Sequence, residues 1–495
     1  MTVNSATATA AELIRAIGDR QISSRELLDD LLVRVDRVNP ALNAIVARDV
    51  ERARATAAAA DDAIARGDPI GPLHGLPMTV KDVWETEGLV TTSGATELAH
   101  HIPAKDALGV ARLRQAGAII FGKTNTPEYA GDWQTYNDVY GRTNNPWDVS
   151  RTAGGSSGGA AAAVAAGLTP LEFGSDIGGS IRCPAHFNGV YGLKPSWGVV
   201  PVRGHIPGQP GSLLTVDIGV AGPIARSVAD LRTAFSVLAG PLPEDAPGWQ
   251  LDLDPGLELT AVAGLRAAVV FGEGGDLVPI ARDVRTLLDG FAARLSAAGA
   301  AVEEARLPVP LAEGLVTWRD LAMPIIGASL PEDVFARFAA LENVPGDGPA
   351  LATGRAMASR FRDVLIATNR RQRQRMAWAE FFRGYDVVLA PVLPVAAFPH
   401  DTDRPFDQRV LDVDGSEVPH PLAAAWLCAI GVMLLPAVTL PVGLTDKGLP
   451  VGVQLVGPFL SDLRLLRIAE LADAAAGAGF TPPPVGESAA ANPVG

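Results

Sequence analysis

Apolar runs and helical patterns alternate over much of the chain. Runs of strand character lie at 77–83, 118–122, 171–176 and 265–271. Helical patterns occupy 105–116, 157–166 and 278–298. Each apolar run has the length of a buried strand, and alternation with helices is typical of a sheet covered by helices. The pattern therefore predicts an α/β fold with a largely parallel or mixed sheet.

The two ends and one internal region depart from this alternation. Residues 1–66 predict helices packed on the core, with a capping box at Ser23 and Glu26 and an alanine-rich helix over 47–66. The region 310–385 is mostly helical and charged, which predicts an insertion or lid in a catalytic domain spanning 67–480. The Pro- and Ala-containing end, 481–495, predicts a loose tail.

One segment is long and apolar enough to suggest a membrane span. Residues 421–445 contain no charged residue. However, Pro436 and Pro441 lie in its second half, and a turn at 446–448 leads into a second apolar run. We therefore expect a buried helix over 422–434 that feeds a strand hairpin, and no membrane span.

Composition narrows the class of protein. Hydrophobic residues make up 48% of the chain and charged residues 19%, as in a folded protein with a large core. The net charge of -14 argues against a nucleic-acid partner, because phosphate binding requires a basic face. Only two cysteines occur, and the first 20 residues lack the pattern of a signal peptide. We expect a cytoplasmic enzyme.

Lysine is scarce. Of 41 basic residues, five are lysines: Lys81, Lys105, Lys123, Lys194 and Lys447. Lysine can give up its proton at accessible pH, whereas arginine cannot. Lys81 lies in the apolar stretch "GLPMTVKDVW", so it is either a residue at a strand end on the surface or a candidate base.

Three short motifs have formal matches that their contexts do not favour. "GAIIFGKT" at 117–124 fits a nucleotide-binding P-loop, but its middle residues predict a buried strand with its amides in a ladder. "GGSSG" at 154–158 fits the elbow of an esterase with Ser156 as nucleophile, which needs a later histidine such as His186, His205, His400 or His420. Cys183 and His186 form half a metal site at most. No metal or cofactor is expected.

Two glycine-rich clusters carry the strongest signal. "AGGSSGGAAAAVAAG" at 153–167 contains Ser156, and "GSDIGGSIR" at 174–182 contains Ser180. A helix and a strand fit between these serines, so both turns can meet at one edge of the sheet. Glycines allow a close approach of substrate to backbone amides. The alternative is a pair of tight structural turns.

These clusters, with "GLPMTVKD" and the flanking "AAELIRAIGDRQISSREL" and "GLPVGVQLVG", resemble the amidase signature family over most of the chain. The resemblance implies a single large domain with a mixed, twisted sheet covered on both faces by helices. It also implies a triad in which Ser180 is the nucleophile, Ser156, after a cis peptide, is the bridge and Lys81 is the base. The amides of Ile177, Gly178 and Gly179 would form the oxyanion hole.

The same resemblance implies an amidase that acts on a small amide through an acyl-Ser180 intermediate. A neutral lysine is required, and burial provides it by disfavouring the charged form. Anilides, carbamates and esters are reachable by the same route, and a homodimer is left open.

An A-type amidotransferase protein, which uses glutamine to modify charged tRNA, is the alternative within the family. Such proteins carry an aspartate in the helix that precedes the strand near Pro436, and Ala424 aligns there, which favours a neutral or apolar amide.

Two further points stay open at the level of sequence. Tyr129, Trp133 and Tyr136 lie between Lys81 and Ser156 and either line an aromatic pocket or belong to the core. A binding module without catalytic activity would need one position of the triad to be absent, and all three are present.

Overall fold

The computed structural model of the protein describes residues 3–206, 210–275 and 277–485. The N-terminal part contains α1 (Ala10–Gly18), α2 (Ser24–Leu42), β1 (Ile45–Arg48) and α3 (Val50–Arg66). The region that follows holds β2 (Pro77–Lys81), α4 (Leu108–Gln115), β3 (Ile119–Thr124), α5 (Gly158–Ala165), β4 (Leu171–Asp176), α6 (Arg182–Asn188), β5 (Tyr191–Lys194), β6 (Val220–Ala225) and α7 (Val228–Leu238).

The second half of the chain completes the same unit. It contains β7 (Arg266–Val269), α8 (Arg282–Ala297), β8 (Ala301–Glu304), α9 (Leu311–Gly327), α10 (Glu332–Ala340), α11 (Pro349–Met357), α12 (Phe361–Phe381), β9 (Val387–Pro391), β10 (Val410–Val413), β11 (Ser416–Pro419), α13 (His420–Ala423), α14 (Ala425–Gly431), β12 (Ala437–Leu444), β13 (Pro450–Val456) and α15 (Asp462–Ala476).

Eleven strands form one mixed sheet in the order β1-β3-β2-β4-β6-β5-β12-β13-β9-β7-β8, and β10 pairs with β11 separately. Strand β2 runs parallel to both β3 and β4, whereas β12 and β13 form an antiparallel hairpin. Alternate residues of β3 enter different apolar clusters: Ile120 packs with one, Ile119 and Phe121 with another. The sheet is therefore covered on both faces, as the alternating pattern predicted.

The predicted strands and helices around the sheet are present with shifts of a few residues. The segment with the formal P-loop match is strand β3, as expected, and its amides lie between β1 and β2. Residues 310–385 contain helices α9 to α12. The capping box at Ser23 is formed, with Glu26 N–H donating to Ser23 Oγ at 3.1 Å.

Two expectations about helices need correction. The first 66 residues are not all helical, because Ile45–Arg48 forms β1 and pairs antiparallel with β3. Helix α3 therefore begins at Val50, where Asp49 accepts a hydrogen bond from Arg52 N–H at 3.1 Å. The predicted helix over 422–434 is two short helices, α13 and α14, that meet at Ala424. The division of the chain into three parts stays a prediction.

The apolar segment 421–445 enters the core and then forms β12, which pairs with β5 and β13. Across the described part of the chain, the model contains no helix with the length and apolar character needed to traverse a bilayer. Of the tail predicted at 481–495, residues 486–495 lie outside the described residues.

Candidate active site

Lys81 is the last residue of the buried strand β2, and its side chain is fully buried. Its Nζ lies 2.6 Å from Ser156 Oγ and 3.1 Å from Ser175 Oγ. The parallel pairing of β2 with β4 explains this placement, because Val80 lies opposite Phe173 and both strands end at the same edge. The geometry brings a lysine and two serine hydroxyls from distant segments into one buried group.

Burial lowers the pKa of Lys81 to about 7, although the negative charges of Asp176 and Glu172 oppose the shift. A substantial fraction of its amine is therefore neutral near pH 7. Asp82 lies on the opposite side of the chain, where its Oδ2 accepts hydrogen bonds from Thr92 and its Oδ1 lies 3.9 Å from Lys123 Nζ. This placement agrees with the expected alternation of strand neighbours.

Three of the five lysines are buried on strands of the large sheet. Lys123 donates to Thr86 Oγ1 at 3.0 Å, and burial lowers its pKa to about 8. Lys194 donates to the carbonyls of Pro195 and Leu435 at 2.9 and 2.8 Å. Burial and the charge of Arg182 lower the pKa of Lys194 to about 7. Only Lys81 among these three contacts the glycine-rich serine clusters.

Ser156 lies in a turn that is packed closely against other backbone segments. The peptide bond between Gly155 and Ser156 is cis, as the resemblance implied. A Cβ on Gly155 would lie 2.5 Å from Asp132 O, so only glycine fits there. The next amide, Ser157 N–H, donates to Ser180 O at 3.1 Å. This bond joins the two serine-containing turns directly.

Ser180 lies between strand β4 and helix α6 and is 5% exposed. A buried ion pair ties together the two ends of its loop: Arg182 Nη2 lies 3.0 Å from Asp176 Oδ1, and Arg182 Nε lies 3.1 Å from Asp176 Oδ2. Burial alone would raise the pKa of Asp176, but the charge and hydrogen bonds of Arg182 lower it to about 2. The carboxylate is therefore ionised and fixed.

The hydroxyl of Ser180 makes no hydrogen bond to Ser156 Oγ, nor to any other atom of residues 3–206, 210–275 and 277–485. Its backbone is nevertheless joined to the Ser156 turn, because Ser180 O accepts the hydrogen bond from Ser157 N–H. Hydrogen bonds between catalytic side chains are often long before substrate binds.

The three amides predicted for an oxyanion hole are not equivalent. Of these amides, Gly179 N–H already has an acceptor, because it donates to Asp176 Oδ1 at 2.8 Å. The amides of Ile177, Gly178 and Ser180 have no hydrogen-bond acceptor within the described ranges of the chain. Ser180 N–H was not among the amides predicted from the sequence, and it is as free of an acceptor as those of Ile177 and Gly178 within these ranges.

Two tryptophans hold the outer side of this loop. Trp133 Nε1 donates to Gly178 O, and Trp318 Nε1 donates to Ile177 O, both at 2.9 Å. Of the three aromatic candidates, only Trp133 reaches the loop. Tyr136 donates to Asp132, which also forms an ion pair with Arg409, and Tyr129 donates to Glu97. Trp318 carries no signal in its local sequence.

The residues of the esterase and metal-site motifs are engaged in other contacts. Burial raises the pKa of the Cys183 thiol to about 12, and the ring of His186 bonds to Gly452 and Val395 in the core. Ser156 Oγ is hydrogen-bonded to Lys81, and no histidine of the described residues bonds to it. No group of three or more acidic, cysteine or histidine side chains within the described residues is arranged to hold a metal ion.

The sequence matches one protein family over most of its length. The model of the Amidase family matches residues 26–325 and 348–466. The A-type component of a glutamyl-tRNA(Gln) amidotransferase from Synechococcus sp. (strain CC9605) is 34% identical over 491 residues, covering 92% of this chain and 94% of that protein.

Two solved structures are similar over nearly the whole chain. A bacterial aryl acylamidase of the amidase signature enzymes superposes with a TM-score of 0.82 at 26% identity, covering 99% of each chain. A chain from an inhibitor-bound vestigial complex, related to the origins of an s-triazine catabolic enzyme, superposes with a TM-score of 0.80 at 30% identity. That match covers 96% of this chain and 100% of the other.

Proposed function

The chain belongs to the amidase signature family, and from this premise we propose that it is an amidase that hydrolyses the C–N bond of a neutral or apolar carboxamide. The observation that carries the proposal is the buried contact of 2.6 Å between Lys81 Nζ and Ser156 Oγ, next to the loop of Ser180. A buried lysine with a lowered pKa is suited to accept a proton at neutral pH.

The proposed reaction begins with attack of Ser180 Oγ on the carbonyl carbon of the amide. The proton of Ser180 passes to Ser156 Oγ as the proton of Ser156 passes to Lys81 Nζ. The carbonyl oxygen becomes an oxyanion. We assign its stabilisation to the amides of Ile177, Gly178 and Ser180, because within the described residues these amides have no hydrogen-bond acceptor.

Collapse of the tetrahedral intermediate breaks the C–N bond. The leaving nitrogen takes the proton from Lys81 through Ser156, and the acyl group remains as an ester on Ser180. Water then attacks this ester, giving its proton to the same relay, and the carboxylic acid leaves as Ser180 regains its hydrogen. This sequence follows the acyl-enzyme logic of serine hydrolases with lysine in place of histidine.

The preference for a neutral amide is inferred from the groups around the loop. Trp133 and Trp318 are half-buried there, and a Cβ on Gly179 would meet the apolar side chain of Leu427. The nearby carboxylates are already paired, Asp176 with Arg182 and Asp132 with Arg409. A substrate ammonium group would therefore find no free carboxylate among these residues.

The similarity to amidotransferase proteins favours a second candidate, in which glutamine is the amide donor. The aspartate expected for that reaction aligns with Ala424, which lies fully buried between α13 and α14. Neither helix carries an acidic residue. This difference is the reason for placing the amidotransferase second.

A substrate panel tests the proposal. Aryl amides, aliphatic amides, carbamates and amino-acid amides including glutamine are compared by release of ammonia or amine, with Ser180→Ala as the inactive variant and the exposed Ser236→Ala as its matched control. We expect neutral amides to be hydrolysed and a fluorophosphonate probe to label Ser180 by peptide mapping. Turnover of glutamine alone, or labelling of Ser156 alone, would overturn the proposal.

A further inference from the structure

The backbone of the 177–179 loop is held from outside by two indole N–H groups. Trp318 donates to the carbonyl of Ile177 and Trp133 to that of Gly178. Both peptide bonds are trans, and in a planar trans peptide the carbonyl and the following N–H point in opposite directions. Trp318 thereby orients Gly178 N–H, and Trp133 orients Gly179 N–H.

The two peptide groups differ in how else they are fixed. Gly179 N–H is also held by Asp176 Oδ1, so that peptide has an anchor on each side. Gly178 N–H has no acceptor in the described part of the chain, so the Trp318 indole is the hydrogen-bonding anchor of its peptide group. A Cβ on Gly178 would lie 3.0 Å from Trp318 Cζ2, which shows that the ring packs directly on this residue.

Trp318 is placed by helix α9, the first helix of the 310–385 region. Gly314 lies one turn earlier on the same face and approaches α14 closely, since a Cβ on Gly314 would lie 2.7 Å from Ala429 Cβ. This close approach fixes the distance between α9 and the core. The indole therefore reaches the loop from a rigid support, 141 residues away in the chain.

We infer that Trp318 is a positioning residue that aims Gly178 N–H at the oxyanion, so that the 310–385 region completes the oxyanion hole. This inference rests on the proposed function. Removing one oxyanion donor costs about 10²–10³ in rate, and loosening a donor that stays in place costs less. The inference therefore predicts a loss of kcat of about 10-fold when only the indole N–H is removed, with KM changed by less than about twofold.

The test compares Trp318→Phe with two other tryptophan variants in the full chain. Trp133→Phe is expected to lose less kcat, because Asp176 still holds Gly179 N–H. Trp147→Phe removes a similar bond of 3.0 Å to Asn188 O outside the site and is expected to keep wild-type kinetics. Affinity for phenylboronic acid, which forms a tetrahedral adduct on serine, is expected to fall in parallel with kcat.

Benzothienylalanine introduced at position 318 provides a second variant that keeps the ring shape and lacks the N–H. It isolates the N–H, because Trp318→Phe also removes Cζ2, which packs on Gly178, and it covers the case in which Trp318→Phe loses its melting transition. Wild-type kcat in a folded variant, or a rise in KM alone, would overturn the inference while leaving the proposed function intact. A wild-type chain that neither turns over amides nor acylates Ser180 would instead overturn the proposed function.

Discussion

Asp176 and Arg182 form a fully buried ion pair with two hydrogen bonds, of 3.0 and 3.1 Å, across the loop that carries Ser180. Asp176 also accepts from the amides of Gly179 and Ile181. The pair therefore fixes both the start of helix α6 and the conformation of the loop. Its removal is expected to affect stability and catalysis together.

Arg182→Met is expected to lower the free energy of unfolding by about 3–5 kcal/mol, because it leaves the Asp176 carboxylate buried without its partner. Urea denaturation measures this loss. Arg337→Met is the matched control: its pair with Asp333 is exposed and is expected to contribute less than about 1 kcal/mol. Equal effects of the two variants would contradict the structural role assigned to the buried pair.

The pH dependence of kcat/KM is expected to follow Lys81. The neutral amine accepts the proton, and its pKa is about 7, so kcat/KM is expected to fall about tenfold per pH unit well below pH 7. Lys81→Arg and Lys81→Ala are both expected to lose about 10²–10⁴ in kcat, because arginine cannot act as a base. A pH–rate profile of the wild type beside both variants measures this. Near-wild-type activity in Lys81→Arg would exclude the lysine as base.

Stability is expected to respond to the same group in a defined direction. The pKa of Lys81 is lowered in the folded state, so between about pH 7 and 10.5 the unfolded chain binds a proton that the folded chain does not. Folding stability therefore rises with pH in this window, by up to about 1.4 kcal/mol per unit. Well below pH 7, Lys81 is protonated in both the folded and the unfolded state, so its titration no longer changes the stability and the full cost of burying its charge is present.

Urea unfolding of wild type and Lys81→Met at pH 7, 8 and 9 isolates this contribution. The stability of the wild type relative to the variant is expected to increase across the series, since other titrating groups are common to both. A constant difference between wild type and Lys81→Met across the series would mean that the pKa of Lys81 is not lowered in the folded state.

Gly179→Ala is expected to reduce kcat by about 100-fold or more, because the loop must move to accommodate a methyl group. The residue has φ of +108°, and the new Cβ would lie 2.3 Å from Leu427 Cδ1. Gly264→Ala is the control that separates the effect of a positive φ from the effect of the steric contact. At Gly264 φ is +81°, but nothing lies within 4 Å of the added Cβ. That control is expected to lose about 1–2 kcal/mol of stability and to keep full activity. Similar kinetics in both variants would contradict the importance of the Leu427 contact.

Candidate site residues were easiest to place from the sequence where they lie in a continuous segment with a clear local pattern. The apolar run before Lys81 and the glycine-rich block around Ser180 are continuous segments, so both could be located on a strand end and a tight turn. Strand β1 was missed because it is four residues long and separates two helices, and its formation depends on pairing with β3. Short strands of this kind are specified by tertiary contacts more than by local pattern.

The detailed geometry of the loop depends on side-chain orientations and long-range contacts that the sequence does not predict. Whether Gly179 N–H is free depends on the orientation of one Asp176 oxygen, which no spacing reveals. Likewise, the indoles that anchor the loop come from 45 and 141 residues away. A tryptophan in an amphipathic helix such as α9 has the same appearance in sequence whether it packs in a core or donates to a catalytic loop.

The burial of Lys81, Lys123 and Lys194 has a practical consequence for handling the protein. Reagents that acylate amines must reach the terminal nitrogen of the lysine side chain, and these three side chains are enclosed. Lys105 and Lys447 are the exposed lysines. Coupling to an amine-reactive support or dye is therefore directed to two side chains on the surface, and the amine next to Ser156 is spared while the protein stays folded.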